Sequence, residues 1–392
     1  MDYNKESLRV HEEKKGKIEV ISKVKVENKD DLSIAYTPGV AQPCREIHKN
    51  EDDVYKYTCK GNMVAVVTDG SAVLGLGDIG PKAALPVMEG KAVLFKEFAN
   101  VDAFPICLDT KSVDEIVNIV KAMSPTFGGI NLEDISAPRC IEIEKKLKEE
   151  LDIPVFHDDQ HGTAVVVIAA LINGLKFVKK EINEIKTVVN GAGAAGSAIV
   201  KMLISLGVEN ILVCDRKGIL HKGSKSNDWN KEELAGLTNK EGLQGDLRTA
   251  IKNADVFIGV SAANVVDEEM IKSMNKDAIV LAMANPNPEI MPDLALKAGA
   301  RIAGSGRSDF NNQVNNVLAF PGIFRGALDV RATEINEEMK LAAANAIASI
   351  ITEDELREDY IIPNPLDKRI AEKVAKAVSQ AAIKSGVARK NA

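Results

Sequence analysis

Apolar residues along this chain gather into short blocks, and longer stretches with helical spacing separate them. The blocks at 63–68, 103–108 and 153–156 predict strands, with helices over 91–95, Val113–Met123 and Arg139–Glu150 between them. The first 60 residues are charged and read as irregular and helical, with a turn at Tyr36-Thr37-Pro38-Gly39. Gly162-Thr163 opens a long apolar helix over 164–175 that leads into a second unit. There, 187–189 and a block ending at Asp215 predict strands around an amphipathic helix. Residues 217–239 read as irregular and polar, and 256–259 and 279–283 predict further strands. From Ala332 onward the pattern is helical, broken at Pro363 and Pro365. The alternation predicts an α/β protein with an N-terminal α/β domain over 1–160. A doubly wound, Rossmann-type domain over 161–392 follows, with a helical carboxy-terminal extension.

The strand at 187–189 runs directly into Gly191-Ala192-Gly193-Ala194-Ala195-Gly196. In such a turn the first glycine permits the bend, the second lets backbone approach a pyrophosphate, and the third lets helix and strand pack closely. The helix start offers unpaired N–H groups and the positive end of its dipole. Asp215 stands where a carboxylate accepts ribose hydroxyls. Strand, glycines, helix, second strand and acid in this order predict a nicotinamide or flavin dinucleotide. A second match, Gly75-Leu76-Gly77-Asp78-Ile79-Gly80, lacks that setting. Residues 69–74 part it from the strand before it, and Pro81 and Pro86 argue against a helix after it. A flexible glycine loop over some other site is expected there.

At 392 residues the chain exceeds what one core usually organises. Hydrophobic content of 45% and charged content of 27% are those of an ordinary globular protein. The net charge of −7, without a long basic stretch, argues against nucleic acid as a partner. No apolar run reaches membrane-spanning length; the longest, 164–172, ends at Asn173-Gly174. The polar amino terminus predicts no signal peptide. Cys44, Cys59, Cys107, Cys140 and Cys214 show no C-x-x-C spacing, which suits a reducing cytoplasm and offers no thiolate metal site.

Glu133-Asp134 and His157-Asp158-Asp159-Gln160-His161 lie just beyond apolar blocks, where strand ends converge on the mouth of a sheet. Carboxylates gathered there repel one another unless a cation holds them, and oxygen donors favour Mg²⁺ or Mn²⁺. The histidines leave zinc as a competitor, and solvated carboxylates at loop ends are the plain alternative. Lys91 follows a glycine and begins an apolar run, a setting that strips water from an ammonium and lowers its pKa toward that of a general base. An ordinary surface lysine is the other reading. Tyr36 reads as a packed ring or an acid. Asn285 and Asn315-Asn316 read as turn residues or as amides that bind carboxylates or a nicotinamide.

Taken together, these segments resemble malic enzymes of the short bacterial or archaeal form, and the likeness runs from Lys15 to Ser385. It is carried by Tyr36-Thr37-Pro38-Gly39-Val40-Ala41, Val67-Thr68-Asp69-Gly70-Ser71, 75–80, Pro86-Val87-Met88-Glu89-Gly90-Lys91 and Asn131-Leu132-Glu133-Asp134. Residues 156–163, the glycine fingerprint, Asn285-Pro286 and 315–322 continue it. The resemblance implies oxidative decarboxylation of (S)-malate to pyruvate and CO₂ with reduction of NAD or NADP. It implies Glu133, Asp134 and Asp159 as ligands of Mg²⁺ or Mn²⁺, Lys91 as proton acceptor and Tyr36 as proton donor. It also implies Asn285 and Asn316 near substrate and nicotinamide, and places the glycine loop 75–80 in the substrate domain. A cytoplasmic homodimer is expected, since the first 60 residues and the carboxy-terminal helices need surfaces to cover their apolar positions.

Longer relatives carry an arginine after Thr-Asp-Gly that pairs with a substrate carboxylate; here the stretch is Ser71-Ala72-Val73-Leu74, so another donor must serve. Asp215 favours NAD, because its carboxylate would repel a 2′-phosphate, whereas Arg216, Lys217 and Lys222 leave NADP open. A metal-independent hydroxy-acid or amino-acid dehydrogenase is the alternative enzyme, and a dinucleotide sensor the alternative outside enzymes. The three acids with Tyr36 and Lys91 stand against both.

Overall fold

A computed structural model of the chain describes residues 2–73 and 75–390, so Leu74 of the departing segment lies outside it. Among the described residues ten strands form two sheets: β1 Met63–Thr68, β2 Asp102–Cys107, β3 Gly129–Leu132, β4 Val155–His157, β5 Lys186–Asn190, β6 Asn210–Asp215, β7 Gly218–Ile219, β8 Val256–Gly259, β9 Ile279–Ala282 and β10 Ile302–Ser305. The first sheet, ordered β2-β1-β3-β4, is parallel throughout. The second, ordered β10-β9-β8-β5-β6-β7, is parallel except for β7 at its edge. Its order reverses at β5, with β6 on one side and β8 on the other, and in open α/β sheets ligands bind at that switch point.

The helix Thr163–Val178 runs from the end of β4 to the second sheet and is apolar nearly all round because it is buried all round. With the turn before it, the stretch Asp158–Val178 is longer than its apolar run suggested. By length and composition it could cross a membrane, but two thirds of its most apolar window (67%) is buried inside the protein. One apolar cluster joins Val64 and Val66 of β1, this helix, and Val189 and Val213 of the second sheet.

The carboxy-terminal helices Phe320–Asp329, Glu337–Ala348 and Arg369–Lys384 pack back across this junction. Phe320 stands edge-on to Phe95 at 4.7 Å, and Phe324 to Phe156 at 5.9 Å. Aromatic pairs of this kind contribute about 1 kcal/mol each beyond the area they bury.

Three local readings are corrected. The helix Gly80–Ala99 is continuous through Pro86, with Pro81 in its first turn. A proline is compatible with a first turn, and the bond lost at Pro86 is offset by burying Ala84, Met88, Ala92, Phe95 and Ala99 along one face. The polar stretch 217–239 contains β7 and the helix Trp229–Leu237, capped by Asp228 accepting from the Lys231 N–H. Strand β10 and the helix Phe320–Asp329 lie between the blocks that the apolar pattern picked out.

Candidate active site

The carboxyl ends of β3 and β4 carry the acids. Asn131, the third residue of β3, donates from Nδ2 to Glu133 Oε2 at 2.8 Å and fixes that carboxylate. Asp134 takes a left-handed backbone conformation, φ 52°, and its N–H donates to Asp159 Oδ2 at 2.8 Å. After β4 the chain makes a single wide turn, Asp158–Gly162, before the long helix starts. Single π-type turns recur at functional sites. Here the turn needs a glycine: a Cβ on Gly162 would meet Asp158 Oδ1 at 1.8 Å.

Glu133, Asp134 and Asp159 converge, with one carboxylate oxygen from each lying within 4.8 Å of the others. The first two are buried and the third is partly open. Three hard oxygen donors with one open face suit Mg²⁺ or Mn²⁺. His157 and His161 are not in this set; His161 Nε2 instead meets Glu144 Oε2 at 2.9 Å, and Lys340 Nζ lies 3.1 Å from its Nδ1.

Lys91 sits in the same cluster. Its Nζ is 2.8 Å from Glu133 Oε1 and 2.7 Å from Asp158 Oδ2, and 4.4 Å from the centroid of the Phe320 ring. The expectation of a lowered pKa is overturned. Burial does act against the ammonium, but Asp158, Glu133 and Asp159 outweigh it and the pKa is raised. Burial likewise raises the carboxyls of Glu133, well above the ordinary range, and of Asp158, against the pull of Lys91. Asp158 escaped the sequence reading as a separate contributor. Its place beside Asp159 was visible; its full burial and its grip on two other groups were not. The same Oδ2 that holds Lys91 accepts from Asn316 Nδ2 at 3.1 Å, which brings Asn316 to the cluster from the far end of the chain.

Two other predicted residues stand differently. Asn285 follows β9, donates from Nδ2 to the Met283 carbonyl at 3.3 Å, and adjoins Pro286, which a Cβ on Gly75 would approach to 3.7 Å. The start of the glycine loop 75–80 therefore lies against this strand end. Tyr36 is not brought to Lys91: its side chain is exposed and its backbone bonds are local. In the segment that lacks an arginine, Arg139 reaches in from the start of the helix Arg139–Glu150. Its Nη2 lies 2.8 Å from Asp69 Oδ2 and donates to Ser71 Oγ at 2.8 Å.

The dinucleotide fingerprint forms a cleft of about 740 Å³ at the switch point, lined by Asn190, Gly191, Ala192, Gly193, Asp215, Arg216, Lys217, Lys231 and Arg248 among others. Gly191 has φ +123°, and a Cβ on Gly196 would meet the Gly191 carbonyl oxygen at 1.8 Å, so both positions demand glycine. A Cβ on Gly193 would meet nothing within 4 Å, so the backbone there is open to close approach. Ala194 and Ala195 begin the helix Ala194–Leu206. Asp215 is already paired: Lys231 Nζ is 2.8 Å from Oδ2, and the Lys217 N–H donates to Oδ1 at 2.7 Å. Although burial raises its carboxyl pKa, these partners outweigh that and hold it below the ordinary value. Sequence reading missed Lys231, which lies within the stretch 217–239 read as irregular but stands on the helix Trp229–Leu237.

Known proteins match this arrangement over most of the chain. The domain family described as malic enzyme, N-terminal domain, matches residues 15–148, and that described as malic enzyme, NAD binding domain, matches 160–383. The chain is 62% identical over 391 residues to a bifunctional malic/malolactic enzyme of Bacillus subtilis, covering 99% of this chain and 95% of the relative. It is 61% identical to an NAD-dependent malic enzyme of Geobacillus stearothermophilus, covering 96% and 78%. A crystal structure of malic enzyme from Pyrococcus horikoshii superposes with a TM-score of 0.95 at 50% identity, covering 99% and 92%.

Proposed function

The chain belongs to the malic enzyme family, and from that premise we propose that it oxidatively decarboxylates (S)-malate to pyruvate and CO₂ while reducing a nicotinamide dinucleotide. The observation that carries this reading is the Lys91 amine, held 2.8 Å from Glu133 within a cluster of three convergent carboxylates. A dehydrogenase without a metal has no use for that cluster.

Glu133, Asp134 and Asp159 would hold Mg²⁺ or Mn²⁺, and Gly191, Ala192, Gly193, Ala194, Ala195, Gly196, Asp215, Arg216 and Asn285 would border the dinucleotide. When bound, the divalent cation supplies positive charge to these carboxylates and to the substrate oxygens, and the nicotinamide supplies the hydride acceptor. Lys91, once neutral, takes the proton of the C2 hydroxyl. Asp158 fixes the direction of that amine and, through the same oxygen, the Asn316 amide. Asn316 and Asn285 present uncharged donors to the substrate carboxylate and the nicotinamide amide. Tyr36 returns a proton to C3 as CO₂ leaves. NAD is the preferred cofactor with NADP accepted, the unit is a homodimer, and the unpaired cysteines among the described residues suit the cytoplasm.

The test is a spectrophotometric assay with malate, Mn²⁺ and each cofactor, with pyruvate and lactate both measured as products. Lactate is included because the Bacillus subtilis relative is named for malic and malolactic activity. Pyruvate formed in step with reduced cofactor is expected. Undiminished oxidation of malate in excess chelator, with oxaloacetate as the end product, would overturn the reading.

A further inference from the structure

Among the described residues the first buried position in the chain is Lys60. The helices Lys29–Ala35 and Ala41–Lys49 are 7 and 9 residues long and bury nothing, yet isolated helices of that length are marginal in water. Val20, Ile21, Val24, Val26, Leu32 and Ile34 are exposed around them, and Tyr36 is 67% exposed.

The ties between this arm and its own subunit stop early. The Lys17 N–H donates to Glu89 at 2.8 Å and its Nζ to the Pro86 carbonyl at 2.7 Å, and Lys23 lies 3.9 Å from Asp102. The next tie is Asp52 to Arg331 at 2.9 Å. Among the described residues, apart from bonds to immediate chain neighbours at its two ends (Ser22 with Val24, Asn50 with Asp53, Glu51 with Val54), no hydrogen bond or ion pair joins 24–51 to the rest of the chain. On the body, Leu76, Leu85, Val87 and Phe104 are exposed on and beside the helix that carries Lys91. An apolar arm without a seat and an apolar surface without a cover occur on one molecule, and two-fold pairing satisfies both at once.

We infer that the chain works as a two-fold dimer in which Tyr36 of the partner subunit completes each active site. Neither subunit then holds a whole proton-transfer pair. The inference rests on the reading of Tyr36 and Lys91 as proton donor and acceptor. Exchange of the arms seats residues 24–51 against the partner's Lys91-bearing helix and covers Ile34 and Leu32 as it delivers the phenol.

Complementation between two inactive variants tests this. Tyr36→Phe and Lys91→Ala homodimers are each expected to lose at least about 100-fold in turnover. Co-expressed with two different tags and purified through both, they give a heterodimer with one site wholly intact and one doubly defective. That heterodimer is expected to show about half the wild-type turnover per dimer. If Tyr36 serves its own subunit, every site of the heterodimer carries one defect and turnover stays at the parental level. That result overturns the inference and leaves the two assignments standing. Full turnover by either homodimer overturns the assignment and the inference together. Asp159→Ala, with a side chain 41% exposed, serves as the second parent if loss of the buried ammonium unfolds the chain. Hydrogen exchange gives a readout independent of activity: amides of 24–51 should be protected in the dimer, and fast exchange there in a sedimentation-proven dimer overturns the inference.

Discussion

Lys231 Nζ lies 2.8 Å from Asp215 Oδ2, so the acid that ends β6 meets the dinucleotide cleft with its charge already countered. Only 12% of the Asp215 side chain and 25% of the Lys231 side chain are exposed, which limits screening of the pair by water. The repulsion that Asp215 exerts on a 2′-phosphate is therefore weaker than the bare acid implies, and Lys231 is a second cation, beside Arg216, able to turn toward that phosphate.

NAD is expected to be preferred by a modest margin. Asp215→Ser should move the ratio of kcat/KM values toward NADP by about ten-fold, and Lys231→Met should move it toward NAD by a similar factor. Measuring both cofactors on all three proteins checks this. A Lys231→Met variant with an unchanged ratio shows that the lysine only braces Asp215.

Metal dependence should separate from cofactor binding. Asp159→Ala removes one ligand from the open face of the carboxylate set and should lower turnover by more than about 100-fold, since even outer-shell changes at metal sites cost 10–100-fold. Dinucleotide binding, followed by fluorescence titration, should survive, because the cleft at the second sheet shares no residue with Glu133, Asp134 or Asp159. Loss of both together would mean that the substitution had unfolded the chain.

The two proton-transfer groups should part by step. Lys91→Ala should abolish malate oxidation by about 100-fold or more, whereas Tyr36→Phe should spare hydride transfer and slow protonation at C3. Reduced-cofactor formation is compared with exchange of the pyruvate methyl protons in deuterated water. Equal losses in both assays for Tyr36→Phe would remove it as the C3 acid.

Stability should fall as acid reaches His161. Burial takes its pKa from 6.5 to about 4, despite the opposing pull of Glu144, with Lys340 adding to the depression. The unfolded chain thus binds the proton more readily. The neutral imidazole stabilises the fold fully above pH 6.5, and that contribution is lost as pH falls toward 4. The loss amounts to about 3 kcal/mol across the window. Denaturant melts of wild type and His161→Asn at pH 7 and pH 4 should show a smaller pH-dependent loss in the variant. Equal losses would move the titration to other groups.

The sequence by itself determined what depends on neighbours along the chain. The helices Val113–Met123 and Arg139–Glu150 follow from their own spacing, and β5, the glycines, the helix Ala194–Leu206 and Asp215 from their order. The acids at 133, 134 and 159 were legible as clusters because each closes an apolar block. What the tertiary structure alone decided is the charge environment of those groups. Lys91 meets Asp158 across 67 positions and Asn316 meets Asp158 across 158, so no local pattern could reveal that one carboxylate holds both. The same holds for the Lys91 pKa. The apolar run around it predicts burial, which lowers it, but the raised value comes from carboxylates carried in by β3 and β4. Pro86 reads as a helix breaker until Met88, Ala92 and Phe95 find a face to bury against. Backbone preference and period act over a few residues, whereas Coulomb interaction and burial depend on distances that exist only once distant segments have packed.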